Sequence, residues 1–341
     1  MPPVKLVDVA RAAGVHPGTA SRALNPETAG QVNSDTRRRI ARVAKDLGYV
    51  PNTLARGLRT SRSYVVAMVV PDITNPLFPP MVRAAEQVLS DAGYTLVLTD
   101  TDNNDDTERR QLERLRAGGT DGFIMATARW DDPQLDALAT SKVPTVLVNR
   151  NTGTHRLPYI GGDERTGMRL AVEHLAALGH TQVVYLSGPH DTSTGRERSA
   201  AFRQAIRTLN LPAGRNQVRT CAAYTEVAGA EVARKLLVSR QEFTAIVAGN
   251  DLIAMGVLSV LAEHGIKCPT EVSVIGFNDM TMVNRLTPPL TTVRLPLERI
   301  GHLAARTLLA ELESGPQDAG AIQTLLGVEL MVRGTTAPAP K

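Results

Sequence analysis

The period of the apolar positions changes near residue 64. Before that point they recur at helical spacing and no strand signal is present. Leu6, Val9, Ala10 and Ala13 share one face up to Gly14, and a second helix is expected from about Pro17 to Asn25. Asn33 or Ser34 can cap a third, which carries Ile40, Val43, Ala44 and Leu47 on one side and stops at Gly48. The stretch 49–63 reads as a linker of marginal helicity, since an isolated helix of that length is barely stable. After Tyr64 the texture alternates. Short β-branched runs (V-V-A-M-V-V, T-L-V-L-T, G-F-I-M-A, P-T-V-L-V, then V-V-Y-L-S, A-I-V-A, V-S-V-I-G-F) are separated by longer amphipathic stretches, among them 165–178, 196–209, 225–238 and 252–264. Two consecutive sets predict two doubly wound lobes, parallel sheets covered on both faces, with ligands in the crevice at the strand carboxyl ends. A long helix at 296–313 is expected to cross back to the first lobe.

Composition adds little to this picture, and charge adds more. The chain has 341 residues, 43% of them hydrophobic, enough for two or three domains with real cores. No run approaches 18 uncharged apolar residues, and the first 20 hold Lys5, Asp8, Arg11 and His16, which is unlike a signal peptide. Cys221 and Cys268 form no C-x-x-C and suit a reducing compartment, so the cytoplasm is the expected address. Net charge is only +4, but residues 1–62 carry 11 Lys/Arg against 4 acids, which leaves −3 for the rest. A basic headpiece on a slightly acidic body suggests an anionic partner gripped at one end, although a merely solvated basic surface would look the same.

Residues 14–25, G-V-H-P-G-T-A-S-R-A-L-N, are the informative stretch. A helix-turn-helix needs a small residue where its helices cross and a glycine at the turn, and Ala10 and Gly14 stand at that separation, with Val15 as the core plug. In that frame the Pro17–Gly18 pair opens a recognition helix, because proline at a first helical position costs no hydrogen bond. His16 falls at the capping position. Thr19 and Ser21 suit phosphate or base contact, and Arg22 is long enough for a bidentate grip on guanine.

The ordered blocks K-L-V-D-V-A-R-A-A-G-V-x-x-x-T-A-S-R-A-L-N, T-R-R-R-I, L-G-Y-V-P-N, L-A-R-G-L-R, P-D-I-T-N-P-L-F (71–78), R-L-A-V-E-H-L-A-A-L-G-H (169–180), G-N-D-L-I-A-M-G (249–256), V-I-G-F-N-D (274–279) and P-P-L-T-T-V-R (288–294) closely resemble the LacI/GalR family of transcriptional regulators over nearly the whole chain. The resemblance implies a helix-turn-helix domain (1–50), a hinge helix (51–62) and a two-lobed α/β core similar to periplasmic sugar-binding proteins (63–341). The first lobe would be 63–161 plus 294–320, and the second 162–293 plus 321–341. DNA contacts would fall to Leu6, His16, Pro17, Gly18, Thr19, Ser21, Arg22, Asn25, Asn33 and Tyr49, and in the hinge to Asn52, Ala55, Arg56 and Leu58. Leu58 would be a wedge between central base pairs, with Ala55 letting paired hinges approach; the plainer alternative is that Leu58 packs on its own core. The effector pocket would hold Asn75, Phe78, Asn149, Arg198, Tyr224, Asn250 and Asn278, whose amides, guanidinium and rings suit a polyhydroxylated ligand. Each has a plainer reading too: Asn75 could simply end a strand in a turn, and Asn250 could simply cap the helix that follows.

Three positions depart from the family pattern: Asn278 where Asp is common, Leu295 where Gln is common, and Gly162 where a larger or acidic residue is common. They put the identity of the ligand in doubt. Enzyme readings fail on their own terms. D-T-D-N-N-D-D-T-E (100–108) lacks the glycine and the terminal acid of a calcium loop, and 188–196 lacks the G-K-[ST] of a phosphate-binding loop. No metal site, cofactor or nucleophile–base pair is expected. The expectation is a dimeric, cytoplasmic and nucleoid-associated repressor that binds a near-palindromic operator under control of a sugar-like effector. A nucleoside- or purine-responsive regulator is the alternative, and a sugar-binding protein without a DNA role is a more distant rival.

Overall fold

A computed structural model describes residues 4–24, 28–49, 62–141, 143–214, 217–239, 241–315 and 322–340. The chain divides into two compact units, 1–63 and 64–341. The expected hinge contacts Asn52, Ala55, Arg56 and Leu58, and also Asn25, lie outside the described residues.

Among its described residues the first unit has three α-helices, α1 (Leu6–Ala12), α2 (Pro17–Leu24) and α3 (Ser34–Asp46), with a short 3-10 turn at Ala29–Gln31. Its core is built from Val9, Ala10, Ala13, Ala20, Ala23, Ile40 and Ala44. Alanines dominate because short helices crossing closely leave no room for longer side chains. The α1 stop is a Schellman turn: Gly14 adopts φ +63°, its N–H reaches the Arg11 carbonyl, and Val15 N–H reaches Ala10 at 3.0 Å. Gly48 repeats the device after α3, with Tyr49 N–H donating to the Ala44 carbonyl at 2.8 Å. Asn33, rather than Ser34, caps α3, its side chain accepting from Asp35 N–H at 2.9 Å.

The second unit holds two six-stranded sheets. The first combines β1 (Val65–Val70), β2 (Thr95–Asp100), β3 (Gly122–Met125), β4 (Thr145–Val148) and β5 (Tyr159–Gly162) with α4 (Phe78–Asp91), α5 (Asp105–Ala117) and α6 (Pro133–Thr140). After α7 (Glu164–Ala177) come β6 (Val183–Ser187), α8 (Ser193–Thr208), β7 (Val218–Thr220), α9 (Glu226–Val238), β8 (Ala245–Ala248), α10 (Asp251–Glu263), β9 (Ser273–Asn278) and β10 (Thr291–Arg294). Helix α11 (Leu297–Ser314) then precedes β11 (Gln323–Leu326) and β12 (Glu329–Met331). Sheet orders are β11-β5-β4-β3-β1-β2 and β12-β10-β9-β8-β6-β7, parallel throughout except for β12 against β10. Strand β1 is buried on both faces: Val66, Met68 and Val70 join one apolar cluster, and Ala67 and Val69 the other. That two-sided burial is why its sequence is an unbroken apolar run rather than an alternation.

The strands and helices expected from the pattern are found within a few residues. Short strands β5, β7, β10, β11 and β12 carry no comparable signal. Helix α11 does return to the first lobe, where it approaches α4 so closely that a Cβ at Gly301 would stand 2.1 Å from the Met81 carbonyl oxygen. The expected division at 320/321 needs correction. Strand β11 pairs in parallel with β5 in the first sheet, so the chain returns to the second lobe only between Leu326 and Glu329. The reason is topological: a helical crossover laid on the first sheet delivers its next strand to that same sheet, beside its edge.

Candidate functional site

In the headpiece, Pro17 occupies the first position of α2, as expected. The cap is made by an imidazole: His16 Nδ1 accepts from Gly18 N–H at 3.1 Å. Glycine at 18 leaves room for this, since a Cβ there would sit 3.3 Å from that nitrogen. The turn-like dipeptide and the unusual cap are therefore one device. Arg22 is exposed, and its Nε donates to the Gly18 carbonyl at 3.3 Å, so the guanidinium lies back along α2 toward its N-terminus. Thr19 and Ser21 are half-buried on the same helix, whereas Leu6 and Tyr49 pack partly against the headpiece core.

The second candidate site sits at the carboxyl ends of the strands, by the points where strand order reverses in each sheet, β1/β3 in one and β6/β8 in the other. Asn75, Phe78, Asn149, Arg198, Tyr224, Asn250 and Asn278 all line one cavity between the lobes, together with Leu77, Arg150 and Thr194. Its volume is about 20 Å³, room for about one water molecule. A ring-sized ligand therefore requires side chains to swing or the lobes to part.

Several of the amides do two jobs. Asn75 Oδ1 accepts from Leu77 N–H at 3.1 Å, closing the turn after β1, and Asn250 Oδ1 accepts from Ile253 N–H at 2.8 Å as the cap of α10. The turn and cap readings are thus correct without removing either residue from the cavity wall. Asn149 and Asn278 adopt positive φ, +62° and +113°, which turns the chain sharply at the ends of β4 and β9. Tyr224 lies where any Cβ at Gly188 would collide with its ring, and its hydroxyl is 2.9 Å from Thr194 Oγ1.

Arg198 is 2% exposed and fully engaged. Nε donates to Glu164, Nη1 to the Gly249 carbonyl and Nη2 to Asn278 Oδ1 at 3.4 Å, while the guanidinium stacks 3.8 Å from the Phe277 ring centroid. Burial disfavours its charge, but the adjacent Glu164 carboxylate outweighs that and holds the pKa above its ordinary value. Glu164, Thr194 and Arg150 were not singled out by sequence reasoning. Glu164 stands two residues after Gly162, the position whose departure from the family pattern draws attention to this stretch.

A second unforeseen group links the two lobes. Arg129 Nη1 reaches Asp191 at 2.5 Å and Nη2 reaches Asp105 at 2.6 Å, Trp130 N–H donates to the Asp191 carbonyl at 2.7 Å, and Arg196 stacks 5.0 Å from the Trp130 ring. Asn151 N–H donates to Ser193 Oγ at 3.0 Å. The acidic 100–108 loop thus serves as the start of α5, capped by Asn104, and supplies Asp105 to this linkage. Two of the departures from the family pattern prove to be one feature. A Cβ at Gly162 would stand 2.5 Å from Leu295 Cδ2, so the leucine fills the space that a larger residue at 162 would take.

A helix-turn-helix unit on a two-lobed α/β body with a polar cleft is the layout of a DNA-binding transcriptional regulator. Residues 5–52 match the family model described as bacterial regulatory proteins, lacI family, and residues 172–336 match a periplasmic binding protein-like domain. The chain is 30% identical to the ribose operon repressor of Halalkalibacterium halodurans, over 96% of each protein. Among solved structures it is similar to the transcriptional regulator CelR–cellobiose complex (29% identity, TM-score 0.74, 97% of this chain and 99% of that one). It is similar also to the Lac repressor dimer bound to operator and the anti-inducer ONPF (25% identity, TM-score 0.83, 98% and 99%). The chain belongs to the lacI family of bacterial regulatory proteins, and its function is sequence-specific transcriptional regulation rather than catalysis.

Proposed function

We propose that the protein represses transcription as a homodimer, in the cytoplasm and at the nucleoid, with operator binding set by a sugar or sugar derivative held between the lobes. The observation that carries the effector reading is the convergence of the seven cleft residues, drawn from the loops after β1, β4 and β8, from the start of α4, the end of β9, the Tyr224 segment and α8, on a single cavity. Amides, hydroxyls, a guanidinium and aromatic rings in one place suit a compact polyhydroxylated molecule. Relatives named for ribose and cellobiose support the same class. In this reading α2 enters the major groove and Arg22 reads a base, with His16, Thr19 and Ser21 beside it. Paired hinges then place Leu58 in the minor groove. An effector switches such a protein only if it binds the two lobe arrangements with different affinity, by several kcal/mol for a strong response.

The test is a thermal-shift screen of sugars, sugar phosphates and nucleosides on the full chain, followed by operator binding with and without each hit. A compound of the sugar class should raise Tm and change operator affinity. A response confined to nucleosides would move the ligand class. Operator affinity should fall steeply with salt, about 0.9 log units per tenfold salt for each phosphate contact, and a flat salt response would remove the DNA-grip reading of the headpiece.

A further inference from the structure

The two arginines of the cleft are in opposite situations. Arg198 is neutralised inside the protein, by Glu164, the Gly249 carbonyl and Asn278. Arg150, at the end of β4 beside Asn149, has no such partner. Its Nε is sealed from solvent without a hydrogen bond. Among the described residues no carboxylate comes within ion-pair distance of it, and its guanidinium carbon lies 5.6 Å from the centroid of the Tyr224 ring. Asp191 is near enough to be felt, but its carboxylate is taken by Arg129. The ten cavity-lining residues include both arginines and no acid, and at 278 an amide stands at the end of β9. The cavity wall also includes Phe78, the first residue of α4, Thr194 in the first turn of α8, and Asn250, the cap of α10. Each brings the positive end of a helix to the same place.

We propose that the effector carries an anionic group, a phosphate or carboxylate on a sugar framework, and that Arg150 is the residue that selects it. This rests on the cleft being the effector site. Arg150 is half-buried, its Nε is sealed without a hydrogen bond, and a carboxylate or phosphate would satisfy that group with paired hydrogen bonds. Burial holds the Arg150 pKa below its ordinary value, the behaviour of a charge without a countercharge. On binding, the guanidinium leaves the Tyr224 ring and turns to the anion, which also enlarges the cavity. A neutral sugar leaves Arg150 as it is.

The experiment is calorimetric titration of the full chain with matched probes: ribose against ribose 5-phosphate, and glucose against glucose 6-phosphate, gluconate and glucuronate. At least one anionic probe should bind tenfold or more tightly than its neutral parent, and its affinity should weaken with added salt while the parent's does not. The phosphate and carboxylate arms tell the two sources of the anion apart. In Arg150→Gln the preference should collapse toward unity, and Arg150→Lys should restore part of it. A neutral parent binding as tightly as its anionic forms overturns the selection by Arg150 and leaves the cleft reading standing. If no probe of either series binds, both readings fall. An anion preference that survives Arg150→Gln also overturns the assignment, and because the salt dependence is read on the unaltered chain, a misfolded variant does not shield the proposal.

Discussion

Arg22 on α2 and Arg198 on α8 show how differently the two halves of this molecule use one residue type. Arg22 is exposed on a helix whose core is mostly alanine, and among the described residues its guanidinium bonds only to a carbonyl one turn back. Arg198 is 2% exposed, with all three guanidinium nitrogens bonded within the body and an aromatic ring beneath it. The headpiece keeps this charge exposed, and in the proposed reading it is left for DNA phosphates and base edges to neutralise. The cleft has already matched this charge internally, so Arg198 shapes the wall as much as it offers a ligand group. Substitutions in the headpiece should therefore change affinity with little effect on body stability. In the cleft, response and stability should move together.

The largest effect expected from this contrast is at Arg198. For a residue that served only as an effector contact, truncation to alanine would remove the effector response and leave DNA binding intact. The buried ion pair changes that expectation, because truncation leaves the Glu164 carboxylate without its cation in a sealed site. Breaking a buried pair from one side typically costs about 3–5 kcal/mol. Urea denaturation of the full chain should show a loss of that size for the body transition. Replacing both partners, Arg198→Met with Glu164→Gln, should recover most of the loss while the effector response stays absent. A single variant as stable as the unaltered chain would show that the pair is not structural, and the contrast with Arg22 would dissolve.

How much of this was legible in the sequence depended on whether a signal was local. The apolar run 65–70 announced β1, and Gly14 and Gly48 announced two helix stops, because each reflects constraints within a few residues. Of the seven cleft residues, Asn75, Phe78, Asn250 and Asn278 stand in the matched family blocks and Asn149, Arg198 and Tyr224 follow from the resemblance alone, yet all seven line one cavity. What stayed hidden were pairings across long separations. Glu164 lies 34 residues before Arg198, and nothing near either position signals the bond. Gly162 and Leu295 are unrelated departures along the chain, yet in the fold the missing Cβ and the leucine methyl share one space. Asp191 lies in the 188–196 segment, which carries no local signal of a pairing, and its partner Arg129 sits in the other lobe. The Gln323–Leu326 strand is four residues long and largely exposed, so its sequence could not say which sheet it would join.

Arg22 should show the complementary behaviour, with a smaller effect. Arg22→Ala removes an exposed side chain, so the body transition in urea should not move. Loss of a bidentate contact to guanine costs about 1–3 kcal/mol of discrimination. Operator affinity should therefore fall by roughly ten- to a hundredfold, whereas affinity for unrelated DNA at the same salt should change only by what one phosphate-range charge contributes. Equal losses on operator and unrelated DNA would reduce Arg22 to a general cation, and base reading would have to rest on Thr19, Ser21 and the hinge.

The smallest effect is the most discriminating, because His16 combines a local structural job with a candidate reading job. Its Nδ1 caps α2 through Gly18 N–H, and loss of a side-chain cap typically costs about 1 kcal/mol. His16→Ala should lower headpiece stability by about that amount, seen as an earlier loss of helix by circular dichroism, with no change in the body. His16→Ser supplies a capping oxygen in place of the imidazole nitrogen and should restore most of the helix stability. Operator affinity then separates the two jobs. If the imidazole serves only as a cap, the serine variant binds operator nearly as well as the unaltered chain. If the ring also reads a base edge, the serine variant keeps its helix and loses specificity at one base-pair position. Gly18→Ala tests the same arrangement from the other side. Alanine in place of glycine favours the helix by about 0.8–1 kcal/mol, but here its Cβ would crowd the capping imidazole. The expected result is a gain well short of that value. A full gain would show that the cap contributes nothing, and the Pro17–Gly18 pair would then be explained by the fixed φ of proline alone.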